Sequence, residues 1–267
     1  MSSLYLHIPF CRSKCPYCDF YSQVGSPDQL AEYVDLLILE MQLLAQVSLQ
    51  PSPMKTIFFG GGTPSLLTAE QVDRLLTQID SLFGIAARCE VTLEANPGTL
   101  DEGHLRGYRS AGINRLSLGV QSLCDQQLKQ LGRGHSAAEA RQSVALAREA
   151  GFDNLNLDLM FSRPGQDCAQ LAQELEQLLM LGPQHVSLYG LSYEQGTEFS
   201  ELLQRGELTE TDDDEYADQY RLLQQLFLQA GFDHYEISNF AQPGFRCQHN
   251  QVYWQRKSCL AAGCGAH

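Results

Sequence analysis

The sequence predicts an α/β fold, an open and curved partial (β/α)6 barrel of the TIM-like kind. Three observations carry this. Short apolar runs alternate with amphipathic helical stretches about six times along 267 residues, the pattern of a parallel sheet with helices outside. Six units are too few to close an eight-stranded barrel. Groups with chemical potential gather just after the apolar runs, at the carboxyl ends of the strands, where parallel α/β folds place their sites.

Each element follows from its own residues. Leu4, Leu6 and Ile8 alternate as in a strand. Ser26-Pro27-Asp28 opens a helix to about Val47, with Leu30, Val34, Leu37 and Met41 on one face. Pro51-Ser52-Pro53 ends that connection, and residues 55–60 read as a buried strand. Thr68 caps a second helix, with Glu70 and Gln71 in its first turn and Val72, Leu75, Leu76 and Ile79 on its apolar face. Residues 89–95 form the next strand, and a helix from about Asp101 stops at Gly112, a left-handed terminator. The cycle repeats with strand 115–120 and a helix between Ser136 and Ala150. It repeats again with strand 154–160 and a helix from Asp167 to Leu181. Strand 185–191, a helix from about 212 to 230 and a strand-like stretch at 235–237 follow. The run Asp212-Asp213-Asp214-Glu215 sits where carboxylates favour a helix's positive end, so it reads as solvated.

Eighteen basic against thirty-two acidic residues give a net charge of −14, which argues against general nucleic-acid binding. No run of eighteen apolar residues occurs, so no transmembrane helix is expected and any membrane contact is peripheral. No signal peptide precedes the first strand, so the expected location is cytoplasmic. Nine cysteines make an odd, unevenly spaced set, better explained by a metal or redox site than by a disulfide framework. Cys89, Cys124 and Cys168 read most simply as small packing residues.

Cys11, Cys15 and Cys18 stand apart from these, at spacings x3 and x2 directly after the first strand. Pro9 and Pro16 disfavour a helix through them, because each lacks an N–H and restricts the residue before it. The result is a loop able to fold three thiolates round one soft metal centre. A [4Fe–4S] cluster held by three cysteines keeps one iron without a protein ligand, open to a small molecule. A structural zinc site, the alternative, normally takes four protein ligands.

Further candidates lie at strand ends. Gly60-Gly61-Gly62-Thr63 can let a ligand approach the backbone, or be only a tight turn. Glu94 can face a ligand or cap the following helix. Gln121, Arg133, Asp158 and Ser192 follow, with a surface charge as the alternative for Arg133. Near the end stands His249-Asn250-Gln251-Val252-Tyr253-Trp254, preceded by Cys247. An imidazole can ligate haem iron and aromatic rings can pack on a porphyrin; Cys247 is a rival ligand. An aromatic plug closing the open barrel edge is the other reading of 247–254.

The triplet Cys11, Cys15, Cys18 resembles that of the radical S-adenosylmethionine (SAM) superfamily, and Tyr5-x-His7-Ile8-Pro9-Phe10-Cys11 resembles the branch with oxygen-independent coproporphyrinogen III oxidase and the haem chaperone HemW. The resemblance implies a radical SAM core holding a [4Fe–4S] cluster and SAM. It implies that the open iron chelates SAM's amino and carboxylate groups and that an electron splits SAM to methionine and a 5′-deoxyadenosyl radical. It places Tyr5, Gly61, Gly62, Thr63, Glu94, Gln121, Arg133, Asp158 and Ser192 round SAM. His249, Tyr253 and Trp254 resemble the haem-linked segment of HemW-type proteins. Phe20 stands where the oxidase motif has a fourth cysteine, and the cluster loop lies close to the start, which both favour the HemW-like group. That implies haem transfer to haem-accepting proteins with an electron donor as a further partner. Coproporphyrinogen oxidation by the radical is the alternative. Residues 1–267 are thus expected to be one core domain, without the C-terminal domain usual in the family.

Overall fold

The computed structural model describes residues 2–47 and 52–266; Pro51, named above, lies outside them. The chain starts with β1 (Ser3–Ile8), which runs into two short strands flanking the cysteine loop, β2 (Phe10–Cys11) and β3 (Gln23–Val24). Helix α1 (Pro27–Val47) buries the four residues expected on its inner face. Then come β4 (Met54–Gly61), α2 (Ala69–Phe83), β5 (Ile85–Ala95), α3 (Glu102–Ala111) and β6 (Arg115–Gln121). After β6 two helices follow, α4 (Asp125–Gln130) and α5 (Ala137–Glu149), then β7 (Leu155–Phe161), α6 (Cys168–Met180) and β8 (His185–Gly190). The last third holds α7 (Glu198–Gln204), α8 (Asp213–Gln229), β9 (Asp233–His234), β10 (Asn239–Ala241), α9 (Gln248–Trp254) and β11 (Leu260–Ala262).

The helix starts follow from side-chain caps. Thr68 with Gln71, Ser136 with Glu139 and Asp167 with Gln170 form reciprocal capping boxes, satisfying N–H groups that the helix cannot. Asp101 and Asp212 cap α3 and α8, and in the acidic run residues 212–214 are exposed and Glu215 half-buried. Gly112 ends α3 in the left-handed region, at φ 116°.

One sheet runs in the order β11-β1-β4-β5-β6-β7-β8-β10-β9. Strands β1, β4, β5, β6, β7 and β8 lie side by side and parallel, each followed by at least one helix, so the six expected units form the partial barrel. β11 adds a parallel strand beside β1, and β10 an antiparallel one beside β8.

Strand period two sorts the side chains. Leu4, Leu6 and Ile8, Ile57 and Phe59, Leu116 and Leu118, Leu155 and Leu157 pack with the helices' apolar faces in one core. Their alternates, Thr56, Thr92, Arg115, Ser117, Asn156, His185 and Ser187, are buried on the other face and are polar. That polar inner face makes the barrel interior a place for ligands rather than a packed core.

Two expectations need correction. Residues 235–237 are not a strand. The chain reverses there between β9 and β10, Ile237 is exposed, and the Tyr-Glu-Ile alternation is that of a loop. Cys124 is exposed at the N-cap of α4, and so is not a packing residue, whereas Cys89 is buried. Among the described residues no helix is long and apolar enough to cross a membrane.

Candidate active site

A cavity of about 420 Å³ opens at the carboxyl ends of the parallel strands. Its wall includes Cys11, Cys15 and Cys18 from the loop, Gly61, Gly62 and Thr63 after β4, and Glu94 on β5. Gln121, Arg133, Asp158 and Ser192, also expected from the sequence, line it too. Residues as far apart in the chain as Cys11 and Asn250 thus share one space.

The loop is held from several sides. The Gln23 N–H donates to the Pro9 carbonyl at 2.8 Å, and the Cys18 N–H to Cys15 O at 3.1 Å. His7 Nε2 lies 2.8 Å from the Tyr21 carbonyl, which can only accept, so Nε2 carries the proton. Its Nδ1 then accepts from the Tyr5 hydroxyl at 3.1 Å. Thr63 donates to Cys11 Sγ at 3.4 Å, and Arg133 Nη1 lies 3.7 Å from Cys15 Sγ. Burial pushes the Cys18 thiol up, so a positive centre is needed to hold it as thiolate.

Glycine is needed at two points. Gly61 lies at φ 113° with a Cβ position 2.8 Å from the His7 ring. A Cβ on Gly62 would stand 2.7 Å from the Phe10 carbonyl and 3.0 Å from Cys11 Sγ. Gly62→Ala should therefore push the loop off its turn, with a cost of about 1–3 kcal/mol and reduced iron retention. Thermal melts and iron analysis read both, and full iron retention at unchanged Tm would show the cradle to be slack.

Glu94 and Asp158, both raised by burial, face the cavity without an ion pair among the described residues. Glu94 accepts the Gly61 N–H at 3.3 Å. Burial raises its pKa to about 8, with Asp158 adding to the rise. Asp158 accepts from Asn156 Nδ2 at 2.6 Å and from Ser117 Oγ at 3.4 Å, and burial raises it as well. Helix α3 takes its cap from Asp101, so Glu94 does not cap it.

Arg133 is not a surface charge. Its Nη2 donates to Gly119 O at 2.9 Å and to Asn96 Oδ1, and its Nη1 to the Tyr17 hydroxyl at 3.4 Å. Gln121 is held at φ 63°, a left-handed conformation rare for a side-chain-bearing residue. The turn after it is tied down by buried Glu174, which accepts from Ser122 Oγ and Leu123 N and pairs with Arg163.

The remaining candidates lie elsewhere. Tyr5 is not in the cavity wall; its ring stacks on Phe58, which is, at 6.1 Å. His249 is 1% exposed. Its Nδ1 lies 2.9 Å from Thr56 Oγ1 and its Nε2 3.5 Å from the Tyr253 hydroxyl. Burial, then Arg115, lowers its pKa to about 4. His249 therefore packs into the barrel interior, while Tyr253 and Trp254 are exposed on α9. Cys247 is fully buried beside Glu90, and burial pushes its pKa up to about 12.

Sequence reasoning passed over Tyr17, Arg115, Asn156 and Asn250, all of which line the cavity. It also passed over Glu90, whose carboxylate accepts the Gln248 and His249 N–H groups and so caps α9. Inward alternation on β5, β6 and β7 was the available signal for Glu90, Arg115 and Asn156.

The donor set fits an iron–sulfur cluster. Three thiols border one cavity, with Arg133 beside them to offset negative charge. Among the described residues no three His, Cys, Asp or Glu side chains are grouped to hold a single metal ion.

Comparison with known proteins adds the family. Residues 5–178 match the model of the Radical SAM superfamily. The chain is 42% identical to the haem chaperone HemW of Haemophilus influenzae, over 99% of this chain and 69% of that protein. It is 41% identical to the Escherichia coli haem chaperone HemW, again over 99% of this chain and 69% of that protein. The solved structure of the E. coli coproporphyrinogen III oxidase HemN superposes with a TM-score of 0.85, at 24% identity, covering 99% of this chain and 63% of that one. At that identity the likeness is one of fold.

Proposed function

The chain belongs to the radical SAM superfamily and, within it, to the haem chaperone HemW family, and from that premise we propose that it binds haem for transfer to recipient proteins, using a [4Fe–4S] cluster and SAM. The observation that carries this reading is the single cavity shared by the three loop cysteines and the strand-end residues. Cys11, Cys15 and Cys18 supply three thiolates to the cluster. When bound, the cluster offers an open iron for SAM and an electron for its reductive cleavage.

The chain's own residues then have separate tasks. Arg133, with Cys15 and Tyr17 within reach, offsets the negative charge of the thiolates. Gly61 and Gly62 bring backbone close to the ligand, and Thr63 steadies Cys11. Glu94, Gln121, Asp158 and Ser192 supply polar groups along the wall for SAM. Tyr5 acts from behind, by stacking on Phe58 and orienting His7. An electron donor and haem-accepting proteins complete this reading, with the cytoplasm as its setting.

Haem is assigned to segment 247–254, with Tyr253 and Trp254 offering exposed aromatic surface to the macrocycle. His249, engaged on both ring nitrogens, positions α9 from within. Replacing Tyr253 and Trp254 together by Ala should weaken haem binding about tenfold, the scale of one or two lost aromatic contacts, with little change in Tm. His249→Phe should keep the Soret maximum of bound haem in place. A shifted maximum would instead make His249 the axial ligand.

The deciding experiment is anaerobic reconstitution, followed by parallel assays of haem binding, SAM cleavage and coproporphyrinogen decarboxylation. Haem binding without decarboxylation is the expected result. Conversion of coproporphyrinogen III to protoporphyrinogen IX without haem binding would replace the chaperone reading by the oxidase one.

A further inference from the structure

The floor of the cavity holds a charge that no residue pairs. Arg115 opens β6 and lies on its inner face with Ser117 and Gly119. Its side chain lines the cavity and is only 2% exposed. Among the described residues its Nε is buried without a hydrogen-bond partner, and its guanidinium forms no ion pair. Thr92 Oγ1, beside it in register on β5, is equally unpartnered.

Such a group is costly to bury. A lone buried guanidinium costs several kcal/mol unless it is paired and hydrogen-bonded. The fold does pair the comparable Arg163, which gives both terminal nitrogens to Glu174. At Arg115 the nearby acids are already engaged. Glu90 accepts from Gln248 N, His249 N and Cys247 Sγ. Asp158 accepts from Asn156 and Ser117. The donors of Arg115 are therefore free for something entering the cavity.

SAM does not supply that partner. On the reading above, its carboxylate belongs at the cluster loop. Arg115 lies on β6 two residues before Ser117, the register partner of Glu94, and so deeper than Glu94 and Asp158, and SAM's ribose and adenine carry no negative charge. A planar guanidinium fork suits a carboxylate. One guanidinium beside Asp158 balances a single negative charge better than a dianion.

We propose that the cavity floor is a second subsite, in which Arg115 takes the carboxylate of a small monocarboxylate ligand beneath SAM. The placement beneath SAM rests on the assignment of SAM to the cluster end; the carboxylate subsite itself rests on Arg115 alone.

Thermal unfolding of the whole chain tests it, with sodium propionate compared against sodium chloride at equal ionic strength. Propionate should raise the Tm of the wild type by about 2–4 °C over chloride. Arg115→Met should lose that difference and melt no lower than wild type in chloride, because an unpaired buried charge has been replaced by an apolar chain of similar length. No propionate-specific rise in wild type would overturn the proposal. So would a rise retained in Arg115→Met, or a larger rise with phosphate. A markedly lower Tm for Arg115→Met in chloride would also overturn it, by making Arg115 part of the fold's own packing. SAM binding by the reconstituted protein is a separate readout, so failure of the SAM reading and failure of the floor subsite are distinguishable.

Discussion

Cys15→Ala, reconstituted anaerobically with iron and sulfide, should hold no stoichiometric [4Fe–4S] cluster and should show no detectable reductive cleavage of SAM. The argument is one of ligand number. The loop offers three thiols to the cavity, Cys11, Cys15 and Cys18. Removing one leaves two protein ligands, and it strips Arg133 Nη1 of its sulfur neighbour at 3.7 Å. The fold should survive, because Cys15 is only half-buried on a surface loop and the main core lies beneath the strands. Surface substitutions of that kind usually change stability by about 0.5 kcal/mol or less. Iron and sulfide analysis, EPR of the reduced protein and a thermal melt therefore give separable answers. A variant with full iron content and a wild-type EPR signal would remove Cys15 from the cluster.

Glu94 should make SAM binding depend steeply on pH. In the free cavity its carboxyl is raised from 4.5 to about 8, by burial and then by Asp158. SAM carries a positive sulfonium, so the ionised carboxylate is the form that favours it. Below about pH 8 that form must be generated by losing a proton on binding. Affinity should then rise about tenfold per pH unit towards 8 and level off above it. Glu94→Gln should flatten this slope, and the difference between the two proteins cancels any titration of SAM itself. Equal slopes would detach Glu94 from SAM.

For folding, the sign is reversed. A carboxyl whose pKa is higher folded than unfolded keeps its proton in the folded state when the unfolded state has lost it. Stability therefore falls as pH rises from 4.5 to about 8. In Glu94→Gln that decline should be shallower in melts of the ligand-free protein, with the part due to Asp158 remaining.

Much of this architecture is local and so was legible in the sequence. Leu30, Val34, Leu37 and Met41 recur at helical spacing, and the structure buries all four. Thr68, Ser136 and Asp167 announce helix starts because a cap is made within three or four residues. The cysteine triplet is visible because its ligands lie in one loop. The strand-end rule gathered Glu94, Gln121 and Asp158 into one cavity, since parallel strands point the same way and their ends must meet.

What remained hidden depends on pairings between distant residues. β11 is three residues long, too short for any period, and exists because Leu260 finds Leu4. The alternation at 235–237 matches a strand locally, yet the pairing of β10 with β8 and β9 turns it into a loop. His249 carries the same ring whether it faces haem or the core. Only the packing of α9 over Thr56 and Phe58, with Glu90 capping its first turn, decides that it points inward. Arg115 likewise reads as an ordinary strand residue until register sets it on the inner face, where no carboxylate is free to meet it. The sequence by itself determined the six long strand–helix units and which loop gathers thiols, because those choices rest on neighbouring residues. The tertiary structure alone decided which side chains share a cavity and which are left unpaired, because those depend on contacts between residues far apart in the chain.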